Sequence, residues 1–294
     1  MTAPIPFRKM NGLGNAFLVF DARERPVHLP HHAIMMLGQP DKIGFDQMIT
    51  IEKSGSGADA FMRIHNRDGG EVDACGNATR CVGWLLMDET GRKTASIETN
   101  AGLLRAFDTG VPEQVTVDMG KPRFAWDQIP LAEEFADTRT IELQIGPIDA
   151  PVLHSPSAAN MGNPHAIFWV DDVEGYDLER FGPLLENHPM FPERANISLA
   201  HVAARDAITV KTWERGVGIT RACGTAACAA AVAAARKDLA DKRVTVTLPG
   251  GPLQVEWRDD GHVWMSGPVE TEFEGTLDPD MLTWQVTTPG RGAA

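Results

Sequence analysis

Between Gly224 and Arg236 the chain reads "GTAACAAAVAAAR", almost without side-chain bulk. Alanine is the best helix former, so this stretch predicts a helix that opens immediately after Cys223. Side chains this small suit close approach of the helix to its neighbours. A second helical pattern, "ATRCVGWLLMDE", follows Cys75. Its apolar residues nearly encircle it, which predicts a helix buried inside curved strands rather than laid on a surface. After each helix comes an alternating stretch split by a glycine turn, "ASIETNAGLLRAF" and "VTVTLPGGPLQVEW". Each reads as two short strands.

These matching segments belong to a longer repeat. "GLGNAFLVFD" resembles "NMGNPHAIFWVD", "HNRDGGEVDACG" faces "WERGVGITRACG", and "CGNATRC" faces "CGTAAC". Asn15 lies 60 residues before Cys75, and Asn163 lies 60 before Cys223. The offset between copies is 148 residues at Asn15/Asn163, Asn66/Glu214, Arg67/Arg215 and Cys75/Cys223, and 147 at Gly120/Gly267. A period held this long implies a duplicated structural unit. The expected fold is α/β (α+β). It has two pseudo-symmetric domains, each a curved, largely antiparallel sheet around a central helix, with the active site in the cleft between them. The boundaries expected are 1–121 with a C-terminal return over 268–294, and 122–267. "KPRFAWDQIP" after Gly120 reads as the linker.

Composition narrows the class. The chain has 294 residues, 43% hydrophobic and 23% charged, within the range of ordinary globular proteins. The N-terminus lacks an apolar core of signal-peptide length, and no apolar run is long enough to span a membrane. A cytoplasmic location is expected, with no membrane partner. The net charge of −13 argues against nucleic acid, which needs a basic patch. It leaves room for an anionic small molecule held by one arginine and a few amides.

The four cysteines are Cys75, Cys81, Cys223 and Cys228. Their spacing does not match a zinc site, and no metal is expected. Taken singly, each reads as a small buried hydrophobe, and Cys81 and Cys228, inside the helices, keep that reading. The repeat changes it for the other two, because pseudo-twofold symmetry sets Cys75 and Cys223 opposite one another, each before a helix. Free N–H groups and the dipole at a helix start favour an anion, so a thiol there can have its pKa lowered. The same amides, Gly76–Asn77 and Gly224–Thr225, suit a carboxylate. Two like groups facing one atom suit a symmetric reaction, racemisation or epimerisation, in which one sulfur takes a proton and the other returns one. No glycine-rich loop with an associated lysine suggests pyridoxal phosphate, so no cofactor is expected. The enolate-like charge would be stabilised by the helix ends. The histidines of "HLPHH" (His28–His32) read as solvated loop residues. Asn15, Asn66, Asn163 and Asn196 have turn capping as their lesser alternative, and Glu214–Arg215 a surface ion pair.

The chain resembles diaminopimelate epimerase along almost its whole length. "KMNGLGNAF", "GFDQM", "NRDGGEVDACGNATRC", "MGNPH", "FPERAN", "WERGVGIT" and "ACGTAACA" occur in family order and spacing. The resemblance implies interconversion of LL- and meso-diaminopimelate without pyridoxal phosphate, in the formation of lysine and peptidoglycan precursors. It implies that Cys75 and Cys223 are the acid/base pair. Asn15, Gln47, Asn66, Asn163, Asn196, Glu214 and Arg215 would bind substrate, several at the distal, non-reacting centre. Gly76, Asn77, Gly224 and Thr225 would hold the reacting carboxylate, and His165 and Glu214 would tune the thiols. It also implies a homodimer, with Phe273 where the family often has an interface tyrosine. Ala16, the "CGNAT" sequence, Ile219 and Ala226 depart from the family pattern, which bears on substrate detail more than on chemistry. A related cofactor-independent racemase with a smaller substrate is the alternative.

Overall fold

A computed structural model describes residues 3–289. In chain order the first elements are β1 (Ile5–Asn11), β2 (Ala16–Asp21), α1 (His31–Leu37), β3 (Gln47–Glu52), β4 (Ala60–Asn66) and β5 (Glu71–Val72). They continue with α2 (Gly76–Thr90), β6 (Thr94–Thr99), β7 (Gly102–Asp108), β8 (Gln114–Asp118), β9 (Gln144–Ile145), β10 (Leu153–His154), β11 (Ser157–Asn160) and β12 (Pro164–Trp169). Next are α3 (Leu178–Glu186), β13 (Asn196–Ala204), β14 (Ala207–Glu214), β15 (Gly218–Thr220) and α4 (Gly224–Arg236). The last are β16 (Arg243–Leu248), β17 (Gly251–Trp257), β18 (Val263–Pro268), β19 (Glu270–Asp278) and β20 (Thr283–Pro289). The chain divides into two compact units, Met1–Val117 with Ser266–Ala294, and Asp118–Met265.

In the first unit β1 and β2 form an antiparallel pair, and β2 runs parallel to β3. Parallel neighbours need a crossover, and α1 supplies it. β3 and β4 are antiparallel, with Gln47 opposite Asn66. β4 then runs parallel to β6, with α2 as the crossover, and β6 turns back into β7. The chain returns late to this unit: β19 lies antiparallel to β1, pairing Ile5 with Leu277, and β20 lies beside β19. α1 buries Ala33, Ile34 and Leu37, and the last two pack in a core with Phe7, Phe20 and Met48.

The second unit repeats the succession. β11 and β12 are antiparallel, β12 and β13 parallel across α3, and β13 and β14 antiparallel. β14 and β16 are parallel across α4, and β16 pairs antiparallel with β17. Each unit is thus a mixed, largely antiparallel sheet with its long helix at the same point of the topology. α4 packs against β11, β12, β13, β14, β16 and β17. Every residue from Ala226 to Ala234 is buried, so the alanines are what let strands close in around it. In α2, a Cβ at Gly83 would lie 2.3 Å from the Cβ of Ala106 on β7, so the helix backbone lies against the strand.

Three expectations are corrected. Residues 121–130 do not form a linker. Arg123 exchanges backbone hydrogen bonds with Asn160, and Ile129 is fully buried in the core of the second unit beside Phe168. The Arg236 guanidinium at the end of α4 lies over the Phe124 ring, 3.9 Å from its centroid. His31 and His32 are exposed, but they lie in the first turn of α1 rather than in a loop. Each unit also has a second, shorter helix, which the pattern of the chain did not single out. No described helix is long and apolar enough to cross a membrane.

Candidate active site

Each of the two cysteines is the N-cap residue of its unit's long helix. Cys75 has φ −146° and ψ 114°, and Cys223 has φ −125° and ψ 105°. An N-cap leaves helical geometry while its carbonyl accepts the first intrahelical bonds. Cys75 O accepts from Thr79 N at 2.9 Å and from Thr79 Oγ1 at 2.8 Å, and Cys223 O accepts from Ala227 N at 3.1 Å. Gly76–Asn77 and Gly224–Thr225 follow directly as the first helical residues, where backbone N–H groups have no intrahelical acceptor.

In the first unit the Cys75 thiol donates to Asn15 Oδ1 at 3.8 Å. Asn15 in turn donates from Nδ2 to Asp46 Oδ2 at 3.0 Å, and the same oxygen accepts from Ala16 N at 2.8 Å. Asp46 therefore fixes the turn that carries Asn15. It stands inside the "GFDQM" motif, yet only its neighbour Gln47 was singled out from the sequence. Gln47 Nε2 donates to Asn66 Oδ1 at 2.9 Å, as expected for residues paired across β3 and β4. Gln47 Oε1 is buried without a hydrogen-bond partner among the described residues, an acceptor available to a ligand. Asn77 is buried, and its Oδ1 accepts from Arg80 Nη1 at 2.9 Å. Its side chain thus braces the helix start.

In the second unit β12 and β13 bring Asn163, His165 and Asn196 together. His165 is paired with Asn196 across the strands, and its Nε2 lies 2.8 Å from Asn163 Oδ1. With the amide oxygen facing the ring, Nε2 donates. His165 is completely buried, and burial pushes its pKa down to about 3, with Arg215 adding to the effect. The imidazole is therefore neutral. Asn196 Nδ2 donates to Pro164 O at 2.9 Å, while its Oδ1 accepts from Arg215 N at 2.9 Å. Arg215 Nη1 donates to Glu193 O at 2.9 Å. Glu214 accepts a hydrogen bond from Thr220 Oγ1. Cys223 Sγ lies 3.5 Å from Thr225 Oγ1.

The expectation that a helix start lowers the thiol pKa does not hold for Cys223. Burial raises it well above the ordinary value, and the nearby Glu214 raises it further. The Thr225 hydroxyl and the Ala226 amide favour the thiolate but are outweighed. Desolvation of a charge exceeds what one helix end returns. Cys81, one turn inside α2, is pushed up to about 12 by burial, as befits a core residue. Phe273 is not among these groups. It lies on β19 opposite Lys9, edge-on to Phe7 with ring centroids 6.1 Å apart. Among the described residues, no group of three or more His, Cys, Asp or Glu side chains is arranged to hold a metal.

The sequence profile described as diaminopimelate epimerase matches residues 7–125 and 157–272. The diaminopimelate epimerase of Nitrobacter hamburgensis is 56% identical over 278 residues, covering 94% of this chain and 96% of the relative. That of Brucella anthropi is 57% identical over 288 residues, covering 97% and 95%. Among solved structures, a probable proline racemase from Agrobacterium radiobacter superposes with a TM-score of 0.65 at 16% identity, covering 93% of each chain. A hydroxyproline epimerase from Agrobacterium vitis gives 0.64 at 14%, covering 93% and 92%. At such identities the structural likeness speaks for the fold alone. The profile and the near-full-length relatives establish that this chain belongs to the diaminopimelate epimerase family.

Proposed function

We propose that the protein interconverts LL- and meso-diaminopimelate with Cys75 and Cys223 as its two acid/base groups. The observation that carries this reading is that the same residue type caps the long helix at the same topological point in both units. Family membership carries the substrate. One sulfur, as thiolate, removes the α-proton. The opposite sulfur, as thiol, delivers its proton to the other face of the carbon, and the two exchange roles in the reverse direction. The pair titrates as a unit in the working enzyme. Burial and Glu214 favour the protonated form of Cys223, which suits it as the acid in one direction of the reaction, and in the other direction the proton sits on Cys75 instead.

The α-proton is weakly acidic, and the amides of Gly76–Asn77 and Gly224–Thr225 supply the stabilisation. They hold the α-carboxylate at two helix N-termini, where enolate-like charge develops against fixed dipoles. Asn15, Gln47 and Asn66, with Asn163, Asn196, Glu214 and Arg215, bind the rest of the substrate, Arg215 taking the distal carboxylate. His165, neutral and next to Asn163, tunes the thiols together with Glu214. The enzyme is an isomerase of lysine and peptidoglycan precursor formation, working in the cytoplasm as a homodimer with Phe273 near the interface. It needs no cofactor and binds neither nucleic acid nor membrane.

The test is incubation of the reduced protein with LL-diaminopimelate in D₂O. Deuterium enters the α-position as the meso isomer forms, and Cys75→Ala and Cys223→Ala each abolish epimerisation. Substantial turnover by either variant refutes the two-base scheme.

A further inference from the structure

The turn that carries Glu214 and Arg215 is built around a carboxylate outside every motif named above. Glu186 closes α3 and is only 5% exposed. Its Oε2 accepts from Trp213 Nε1 at 2.7 Å, and its Oε1 accepts from Gly216 N at 2.8 Å and Arg194 Nη1 at 3.2 Å. Trp213 and Gly216 flank the Glu214–Arg215 pair, so one carboxylate grips both ends of it. Packing reinforces the grip. A Cβ at Gly182 would stand 2.4 Å from the Trp213 ring, which places the indole against the backbone of α3. Gly216 (φ +74°) and Gly218 (φ +107°) take the positive-φ backbone of the turn that follows. The other two anchors of Arg215, Asn196 Oδ1 and Glu193 O, come from the segment directly after α3.

A buried carboxylate is costly unless its oxygens are well satisfied, and here three donors converge on it. We infer that Glu186 is the positioning residue for Arg215. It holds the turn so that the guanidinium meets the substrate's distal carboxylate in a fixed orientation. Recognition of a carboxylate by an arginine fork depends on that orientation. The inference rests on the reading that Arg215 binds the distal carboxylate. The hydrogen bonds of Glu186 go to Trp213, Gly216 and Arg194, while the Glu214 carboxylate is held separately by Thr220 Oγ1, so the loss of Glu186 falls on substrate affinity through Arg215 more than on proton transfer.

The experiment is steady-state epimerisation of LL-diaminopimelate by the full-length protein, Glu186→Gln, Arg215→Lys and the double variant, with folding checked by circular dichroism. Glutamine keeps the shape but loses the charge and one acceptor. Glu186→Gln is expected to raise KM about tenfold with kcat within about twofold, the scale of one weakened charge-assisted hydrogen bond. Arg215→Lys also raises KM. The double variant stays within about twofold of Arg215→Lys, because the two residues act as a unit. A folded Glu186→Gln with unchanged KM, a fall in kcat alone, or a further tenfold rise in the double variant overturns the inference and leaves the role of Arg215 standing. An unchanged KM in Arg215→Lys overturns that role and the inference together. Should Glu186→Gln fail to fold, Trp213→Phe removes the indole donor and part of the ring that packs on Gly182 while leaving Glu186 itself in place. A several-fold rise in KM is then expected, and an unchanged KM overturns the inference.

Discussion

Acidification puts a proton on His165 in the unfolded chain long before it does so in the folded one. The ring lies fully buried on β12, between Ala159 of β11 and Asn196 of β13, with Nε2 committed to Asn163. Burial and Arg215 bring its pKa from 6.5 to about 3. Between those values the unfolded state holds a proton that the folded state does not. Stability is therefore undiminished above pH 6.5 and declines as the pH falls toward 3. The whole window amounts to about 5 kcal/mol, and roughly 3 kcal/mol of it is lost by pH 4.5. His165→Gln keeps an N–H donor for Asn163 and removes the titration. Urea unfolding of both proteins at pH 7.0 and pH 4.5 isolates the effect, since all other titrating groups are shared. The wild type should lose about 3 kcal/mol more than the variant over this interval. Parallel losses, equal to within about 0.5 kcal/mol, would refute the assignment of a buried neutral histidine.

Two further substitutions test other parts of the structure. Gly83→Ala improves helix propensity by about 1 kcal/mol, but its new Cβ would stand 2.3 Å from that of Ala106. An approach this short belongs in the upper part of the overpacking range of about 1–3 kcal/mol, leaving a net loss of about 1–2 kcal/mol, so the melting temperature falls by a few degrees. An unchanged or higher melting temperature would contradict the packing of α2 on β7. Asp46→Ala removes the acceptor shared by Asn15 Nδ2 and Ala16 N. The expected result is a several-fold loss of kcat/KM for diaminopimelate, about 1 kcal/mol at this exposed site, with little change in melting temperature. Kinetics identical to wild type would remove Asp46 from the site.

The chain's own pattern reaches far into this fold, because its strongest signals are local or periodic. The alanine run and the encircling apolar residues after Cys75 mark both long helices, and glycine turns mark β6–β7 and β16–β17. Repetition at an offset of 148 residues links Asn15 to Asn163 and Cys75 to Cys223, and the strand topology repeats in step with it. The two shorter helices stay hidden for physical reasons. α1 has seven residues and no side-chain cap, too few for a period to show. α3 contains Gly182–Pro183, which by itself reads as a turn.

Other features depend on residues that meet only in the folded chain. "KPRFAWDQIP" has the polarity of a linker until Asn160 pairs with Arg123 and the second unit's core encloses Ile129. Asp46 and Glu186 carry no chemical signature of their own, and each acquires a role from the donors brought to it. The sequence determined which side chains sit at the helix starts, since capping is a local property of the chain. Tertiary structure decided the charge of the second of them, Cys223. Desolvation and a nearby carboxylate, both products of packing, keep the Cys223 thiol protonated at a helix end that would otherwise favour the thiolate.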